Sequence, residues 1–320
     1  MLVSFGCQAQ TDKKMTDNKN NPLLCDPETG VCELPTAQTT DNSNYISAQK
    51  KPVKVIYFTD PICSSCWGIE PQLRKLKLEY GNAIEVEYHM GGLLPDWSYN
   101  SGGISKPSDV AHHWDEVSLH YDMPIDGDVW LEDPLSSSYP PSIAFKAAQM
   151  QDELKAIKFL RRIREMVFLE KKNITKWEHL SKAASETGLD ALQLKTDYDT
   201  KAKELFEADL ALAKKLGVRG FPTLFFVDSL SNQQKVYGVK PYKTFEEAVV
   251  TTFSGATKMK YDNSWTGLFH KYPTLTTKEF SELSGITKAE SEIQLHKLTE
   301  QGNITKTTTK NGDIWAINHK

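Results

Sequence analysis

No stretch of this chain is apolar over anything near the ~20 residues a helix needs to cross a bilayer. A membrane-spanning helix is therefore not expected. Charge of neither sign dominates: 38 Lys and Arg stand against 42 Asp and Glu, a net charge of −4. That balance gives no electrostatic footprint for nucleic acid or an anionic membrane. Cysteine is sparse, five residues in 320, too few for a disulfide-built scaffold. Histidine is sparse as well, and none has the His-Glu-x-x-His spacing of a helical zinc protease. His112, His113 and His120 instead read as a solvated helix face. What remains is a chain with 39% hydrophobic and 25% charged residues, a globular composition of two-domain length.

Against this background the segment Cys63-Ser64-Ser65-Cys66 stands out. It follows the β-like run 53–60 and opens a helix-like run from Trp67 to Leu78. Two thiols separated by two residues can close a small ring. The first would sit at a helix N-terminus, where unpaired N–H groups and the helix dipole stabilise a thiolate. A thiolate is the species that attacks disulfides, so Cys63 reads as a nucleophile. The same spacing could instead be half of a zinc site. Pro71 follows five residues after Cys66, and Val218-Arg219-Gly220-Phe221-Pro222-Thr223 later feeds an apolar strand. A Gly-Phe-Pro turn there resembles the cis-proline loop that faces the cysteine pair in thioredoxin folds.

The chain resembles DsbA-family thiol–disulfide oxidoreductases of the FrnE-like type. The resemblance rests on the run from Asp60 to Pro71, on Tyr88-His89-Met90-Gly91-Gly92, on Pro141-Ser142-Ile143-Ala144, and on 217–223. The Cys-Trp-x-x-Glu-Pro pattern is also similar to that of the cytoplasmic adaptor proteins that present the Spx regulator to the ClpXP protease. It covers about residues 52–255 and is more specific for fold than for task. It implies an α/β thioredoxin-like fold with a large helical insertion, over about 107–217, between the two halves of the sheet.

Four segments follow from composition and periodicity. Residues 1–50 read as a disordered tail rich in Asn, Thr, Asp, Lys, Pro and Gln. Within it Cys25 and Cys32 flank a turn-prone Pro and Gly, and read either as a second redox pair or metal clip or as two exposed thiols. Zinc held by Cys25, Cys32, Cys63 and Cys66 together is a weaker alternative, and no metal or cofactor is expected. Residues 51–256 form the thioredoxin-like domain: strand 53–59, helix 66–80, strand 84–90, the helical block, strands 223–228 and 234–239, and helix 243–254. Within the block, helices are expected over 144–150, over 154–171, from a capping-box-like Thr175–Glu178, and as one long helix over 191–216. Residues 262–320 read as a winged-helix-like domain. A helix–turn–helix there precedes a hairpin around Asn311-Gly312, with Ile293 and Leu298 turned inward. Its seven Lys equal its seven Asp and Glu, which argues for protein contact over DNA.

The resemblance assigns the chemistry. Cys63 and Cys66 are the expected catalytic, redox-active disulfide. Phe221 and Pro222 line a substrate, and Trp67 after Cys66 either covers the site or packs beneath the helix; we count it with the substrate-binding residues. Glu70 reads as a proton shuttle for Cys66 or a surface carboxylate, and His89 as a structural histidine near the site. With serines rather than a histidine between the cysteines, a middling potential is expected. The partners are protein or small-molecule thiols and disulfides. The alternative is an adaptor that hands a client protein to a protease. Leu2–Cys7 resembles the end of a lipoprotein signal, so anchoring at Cys7 in the cell envelope is one expectation. A start at Met15 and a cytoplasmic protein is the other, and the adaptor resemblance leans that way.

Overall fold

The computed structural model describes residues 51–98 and 105–318. Cys7, Cys25 and Cys32 lie outside them, as does the expectation of a disordered tail. The chain enters on β1 (Val53–Thr59), whose Val53, Val55, Tyr57, Phe58 and Thr59 are buried. Two short helices follow, α1 (Ser64–Gly68) and α2 (Glu70–Tyr80), and then β2 (Ile84–Met90). The expected single helix is thus split at Ile69, which sits at φ −93° and ψ 0°. Pro71 explains the split, because it has no N–H to bond the Trp67 carbonyl one turn back.

A helical block comes next: α3 (Pro107–Tyr121), α4 (Val129–Glu132), α5 (Tyr139–Gln151), α6 (Glu153–Leu169), α7 (Trp177–Glu186), α8 (Ala191–Asp199) and α9 (Ala202–Lys215). In α6, Leu160, Ile163 and Val167 form the buried stripe, and Asp152 caps its start by accepting from the Lys155 amide at 2.9 Å. Two expectations fail here. The long helix over 191–216 is broken at Thr200, whose Oγ1 takes the Thr196 carbonyl at 2.6 Å. Thr200 stands at φ −119° and ψ −80°, outside the helical range. The capping box at Thr175 also does not form, because Thr175 Oγ1 donates to Asn173 Oδ1 and no side chain caps α7.

The sheet is completed by β3 (Thr223–Asp228) and β4 (Gln233–Tyr237), and α10 (Tyr242–Thr252) follows. The strand order is β2-β1-β3-β4, with β1 and β2 parallel and the other pairs antiparallel. Val236 is the buried residue of β4, and its polar neighbours Gln233, Gln234 and Lys235 suit an exposed edge. The register matters for the site. Phe58 pairs with Thr223 and Thr59 with Met90, so the chain leaves β1, leaves β2 and enters β3 at one end of the sheet. The main core gathers around this sheet and the helical block, with Trp67, Phe145, Phe159, Phe168 and Phe226 fully enclosed. Each such side chain contributes about 1.5–3 kcal/mol of burial.

The remaining elements are α11 (Trp265–Lys271), β5 (Thr274–Thr276), α12 (Thr277–Ser284), α13 (Lys288–Glu300), β6 (Ile304–Thr309) and β7 (Gly312–Ile317). The three strands form an antiparallel sheet in the order β5-β7-β6. They share a second core of Leu268, Phe269, Leu275, Phe280, Leu283, Leu295, Leu298, Ile304 and Trp315. Capping boxes start α12 (Thr276 with Glu279) and α13 (Thr287 with Glu290), and Gly285, at φ 79°, ends α12 in the left-handed conformation. Leu298 is inward as expected, but Ile293 is 72% exposed. The buried positions of α13 are Ser291, Leu295 and Leu298, spaced by four and three; Ile293, two residues from each of the first two, falls on the opposite face.

Candidate functional site

The end of β1 delivers a tight turn. Cys63 N donates to the Asp60 carbonyl at 3.2 Å, and Ile62 N donates to Asp60 Oδ1 at 3.0 Å. Cys63 then occupies the N-cap of α1, in extended conformation, and its Sγ accepts from the Cys66 amide at 3.1 Å. An N-cap is normally a Ser, Thr, Asp or Asn whose oxygen takes that bond. Here a sulfur does, and a thiolate is a better acceptor than a thiol. A disulfide joins Cys63 to Cys66 across a Cα–Cα separation of 5.1 Å. The two cysteines are both buried but not equally: Cys63 keeps 4% of its residue surface exposed and Cys66 none.

The Phe221–Pro222 peptide is cis and stands at the start of β3, at the same sheet end as the cysteine turn. The Pro222 carbonyl accepts from Gly238 N at 2.9 Å, and Thr223 Oγ1 ties back to the Gly220 carbonyl at 2.7 Å. The half-buried Phe221 ring lies over Gly91, so close that a Cβ there would fall inside the ring. Gly91 itself donates to the Thr59 carbonyl at 2.7 Å. The topology thus brings Cys63, Cys66, Phe221 and Pro222 to one end of the sheet.

Trp67 is a correction. It is wholly buried, its Nε1 donates to the Pro124 carbonyl at 3.0 Å, and it stacks on Phe168 with centroids 5.5 Å apart. Its other partner is Arg161, whose guanidinium lies 4.3 Å from the indole centroid. No face of it is left for a substrate, because the residue after Cys66 points into the core side of α1. Glu70 is not a free surface carboxylate either. It pairs with Arg164 at 2.8 Å and stands 3.7 Å from Arg74.

Several participants were not singled out from the sequence. Arg164 is 1% exposed. It donates to Glu70, to Thr59 Oγ1 at 2.5 Å and to the Asp60 carbonyl at 3.2 Å. The signal was present: Arg164 stands four residues after Leu160 and three before Val167, on the apolar stripe of α6. Asp60 is wholly buried, and its Oδ2 accepts from Leu93 N and Ser138 Oγ. Burial pushes its carboxyl up to about 6, although the Leu93 and Ile62 amides, the Ser138 hydroxyl and Arg164 all pull the other way. Tyr121 OH meets Ser65 Oγ at 2.8 Å, so α3 touches the dipeptide between the cysteines. His89 is held by Asp209 at 2.7 Å. Burial works against its protonation, but Asp209 and Glu87 outweigh it and raise its pKa above the ordinary value. His112, His113 and His120 are exposed on α3, as expected.

A sheet of this order, with a Cys-x-x-Cys at the helix start and a cis-proline strand beside it, defines a thioredoxin fold carrying a helical insertion. A family model described as Thioredoxin matches residues 57–247. The ClpXP adapter protein SpxH of Halalkalibacterium halodurans is 33% identical over 301 residues, covering 92% of this chain and 97% of the relative. Its Bacillus subtilis counterpart is 29% identical over 271 residues, 83% of this chain and 89% of the relative. Among solved structures, a candidate protein disulfide isomerase from Nitrosomonas europaea aligns with a TM-score of 0.54 and 21% identity. That alignment spans 64% of this chain and 97% of the other, a likeness of fold alone. The chain belongs to the thioredoxin family and, within it, to the group that includes the ClpXP adapter proteins SpxH.

Proposed function

We propose that this protein is a thiol–disulfide oxidoreductase of DsbA-like type, acting through Cys63 and Cys66 on protein or small-molecule thiols and disulfides. The observation that carries this is the N-cap sulfur: Cys63 Sγ accepts the Cys66 amide at the mouth of α1, and Cys63 is the one cysteine of the pair with any exposure. In the oxidising direction a substrate thiolate attacks Cys63 Sγ. A substrate–Cys63 disulfide forms, the Cys63–Cys66 bond breaks, and Cys66 leaves as a thiolate that takes up a proton. A second substrate thiolate then attacks the substrate sulfur of the mixed disulfide. The substrate leaves as a disulfide and Cys63 as a thiolate, so two electrons have passed to the pair. The reverse sequence reduces a substrate disulfide. The backbone at Phe221 would pair with an extended substrate, and Pro222 offers no N–H to compete with it. An insulin-reduction assay with dithiothreitol as electron donor tests the proposal: turnover is expected from the native protein and none from Cys63→Ser.

A second reading is carried by the SpxH relatives, which match over 89–97% of their own length. On that reading the protein is an adaptor that brings a client to ClpXP. The segment 262–320, read as a winged-helix-like unit of zero net charge, would then be a protein-docking surface. Co-sedimentation with purified ClpXP separates the two readings, since an adaptor keeps that binding in the Cys63→Ser variant.

A further inference from the structure

Arg164 has no role in the exchange steps above, yet it is the one guanidinium that touches the turn carrying Cys63. Its Nη2 donates to the Asp60 carbonyl at 3.2 Å, and the Cys63 amide donates to that same oxygen, also at 3.2 Å. The same Nη2 holds Thr59 Oγ1, the last residue of β1, and Nη1 holds Glu70 at the start of α2. One buried fork therefore pins both ends of the segment 59–70, and the pair lies between. Its Nε is buried without a hydrogen-bond partner. A wholly buried cation with an unsatisfied N–H is costly to keep for packing alone.

We propose that Arg164 is the positioning residue of the Cys63–Cys66 pair: it fixes the turn that presents Cys63 and supplies the positive charge that stabilises the Cys63 thiolate. The proposal rests on the thiol–disulfide reading and deepens it by naming what sets the poise of the pair. In a site that excludes water, a charge behind the turn acts at a strength it would not have in solvent. The other charged or titratable groups packed around the turn are the Asp60 carboxyl, Glu70 as counter-ion to Arg164, Arg74 beside Glu70, Arg161 over the Trp67 ring, and the Tyr121 hydroxyl through Ser65. Glu70 opposes Arg164, so removing either partner should move Cys63 in opposite directions. A purely structural role would disturb the turn in both variants and move Cys63 the same way.

The test uses the full chain reduced with dithiothreitol, reading thiolate absorbance at 240 nm against pH. A parallel measurement equilibrates the pair with glutathione, in which the protein disulfide plus two glutathione thiols gives the protein dithiol plus glutathione disulfide. Arg164→Met is expected to raise the apparent pKa of Cys63 by about one unit. It should also shift the glutathione equilibrium up to tenfold toward the oxidised protein, about 30 mV for a two-electron couple. Glu70→Gln is expected to lower the same pKa, by about half a unit. Shifts of one sign in both variants, or no shift in either, overturn the proposal. If Arg164→Met does not fold, Glu70→Gln decides alone: a fall supports the proposal, and a rise or no change overturns it. A native pair that never equilibrates with glutathione instead defeats the thiol–disulfide reading, while the absorbance titration still reads Arg164.

Discussion

Arg161 lies 4.3 Å from the centroid of the Trp67 indole, directly behind the residue that follows Cys66. The same guanidinium is gripped by Glu279 of α12 through bonds of 2.7 and 3.0 Å. Glu279 also faces Arg74 of α2 at 3.3 Å and is wholly buried. The C-terminal elements thus reach the back of the active-site helix through this carboxylate, alongside the Lys75–Glu282 pair and the Arg74 bond to the Thr274 carbonyl.

That carboxylate should be costly to remove. Burial works to raise the Glu279 pKa, but Arg161 and Arg74 outweigh it and hold it below the ordinary range. Glu279→Ala leaves two guanidinium groups short of a counter-ion in the interior. Urea unfolding should show a loss of about 3–5 kcal/mol. Limited proteolysis should also reach the segment 253–264 sooner. An unchanged urea midpoint would mean that the grip carries no stability.

The unequal exposure of the two sulfurs predicts unequal variants. Cys66→Ser leaves the accessible sulfur and removes the resolving one. It should accumulate a mixed disulfide at Cys63, readable by mass of the peptide carrying residues 63–66 after incubation with glutathione disulfide. Cys63→Ser should trap nothing at Cys66, since Cys66 has no exposed surface. Equal trapping by both variants would contradict the assignment of nucleophile and resolver.

Asp60 predicts a pH dependence. Its carboxyl is pushed from 3.8 up to about 6 by burial, so the folded state holds the proton to higher pH than the unfolded chain does. For a carboxyl shifted this way, its stabilisation is fully present below 3.8 and is lost as pH rises through about 6. Compared with Asp60→Asn, the native protein should therefore lose about 2–3 kcal/mol between pH 4 and pH 7. Only the difference between the two curves is diagnostic, because Glu279 and Glu87 titrate with the opposite sign. A gap that stays constant across that range would show that Asp60 titrates normally.

Gly91 predicts a packing effect at the cis-proline loop. A methyl added there would meet the Phe221 ring. Gly91→Ala should cost about 1–3 kcal/mol by overpacking and should slow insulin reduction by displacing Phe221. Combining it with Phe221→Ala should relieve most of the stability cost, since the obstruction is that ring. If the double variant is no better than Gly91→Ala alone, the crowding lies elsewhere.

Much of this was legible because periodicity and breakers are local. The β-like run 53–60 and the alternation in 84–90 mark two strands, whereas the break at Ile69 goes beyond the single helix expected over 66–80, although Pro71 accounts for it. Gly220-Phe221-Pro222 marked the entry to β3. What was missed depends on residues far apart in sequence. Glu279 reads as an ordinary capping-box carboxylate, and nothing nearby says that it also bridges Arg161 and Arg74. Arg164 interrupts an apolar stripe, a sign visible in the sequence but silent about its partners. The break at Thr200, at φ −119° and ψ −80°, has no Gly or Pro to announce it in the sequence. Ile293 was assigned inward on hydrophobicity, although the spacing of Ser291, Leu295 and Leu298 places it outside. Trp67 was placed with the substrate because it adjoins Cys66, but the turn of α1 carries the next side chain to the opposite side.

Cys63 shows 4% of its residue surface, so on the thiol–disulfide reading any partner must reach a recessed residue. A compact globule cannot bring a rigidly embedded cysteine down to it. On the thiol–disulfide reading, loose, threadlike polypeptide or a slender thiol would make that approach more readily than a rigid surface, so conformational slack in the guest would favour entry.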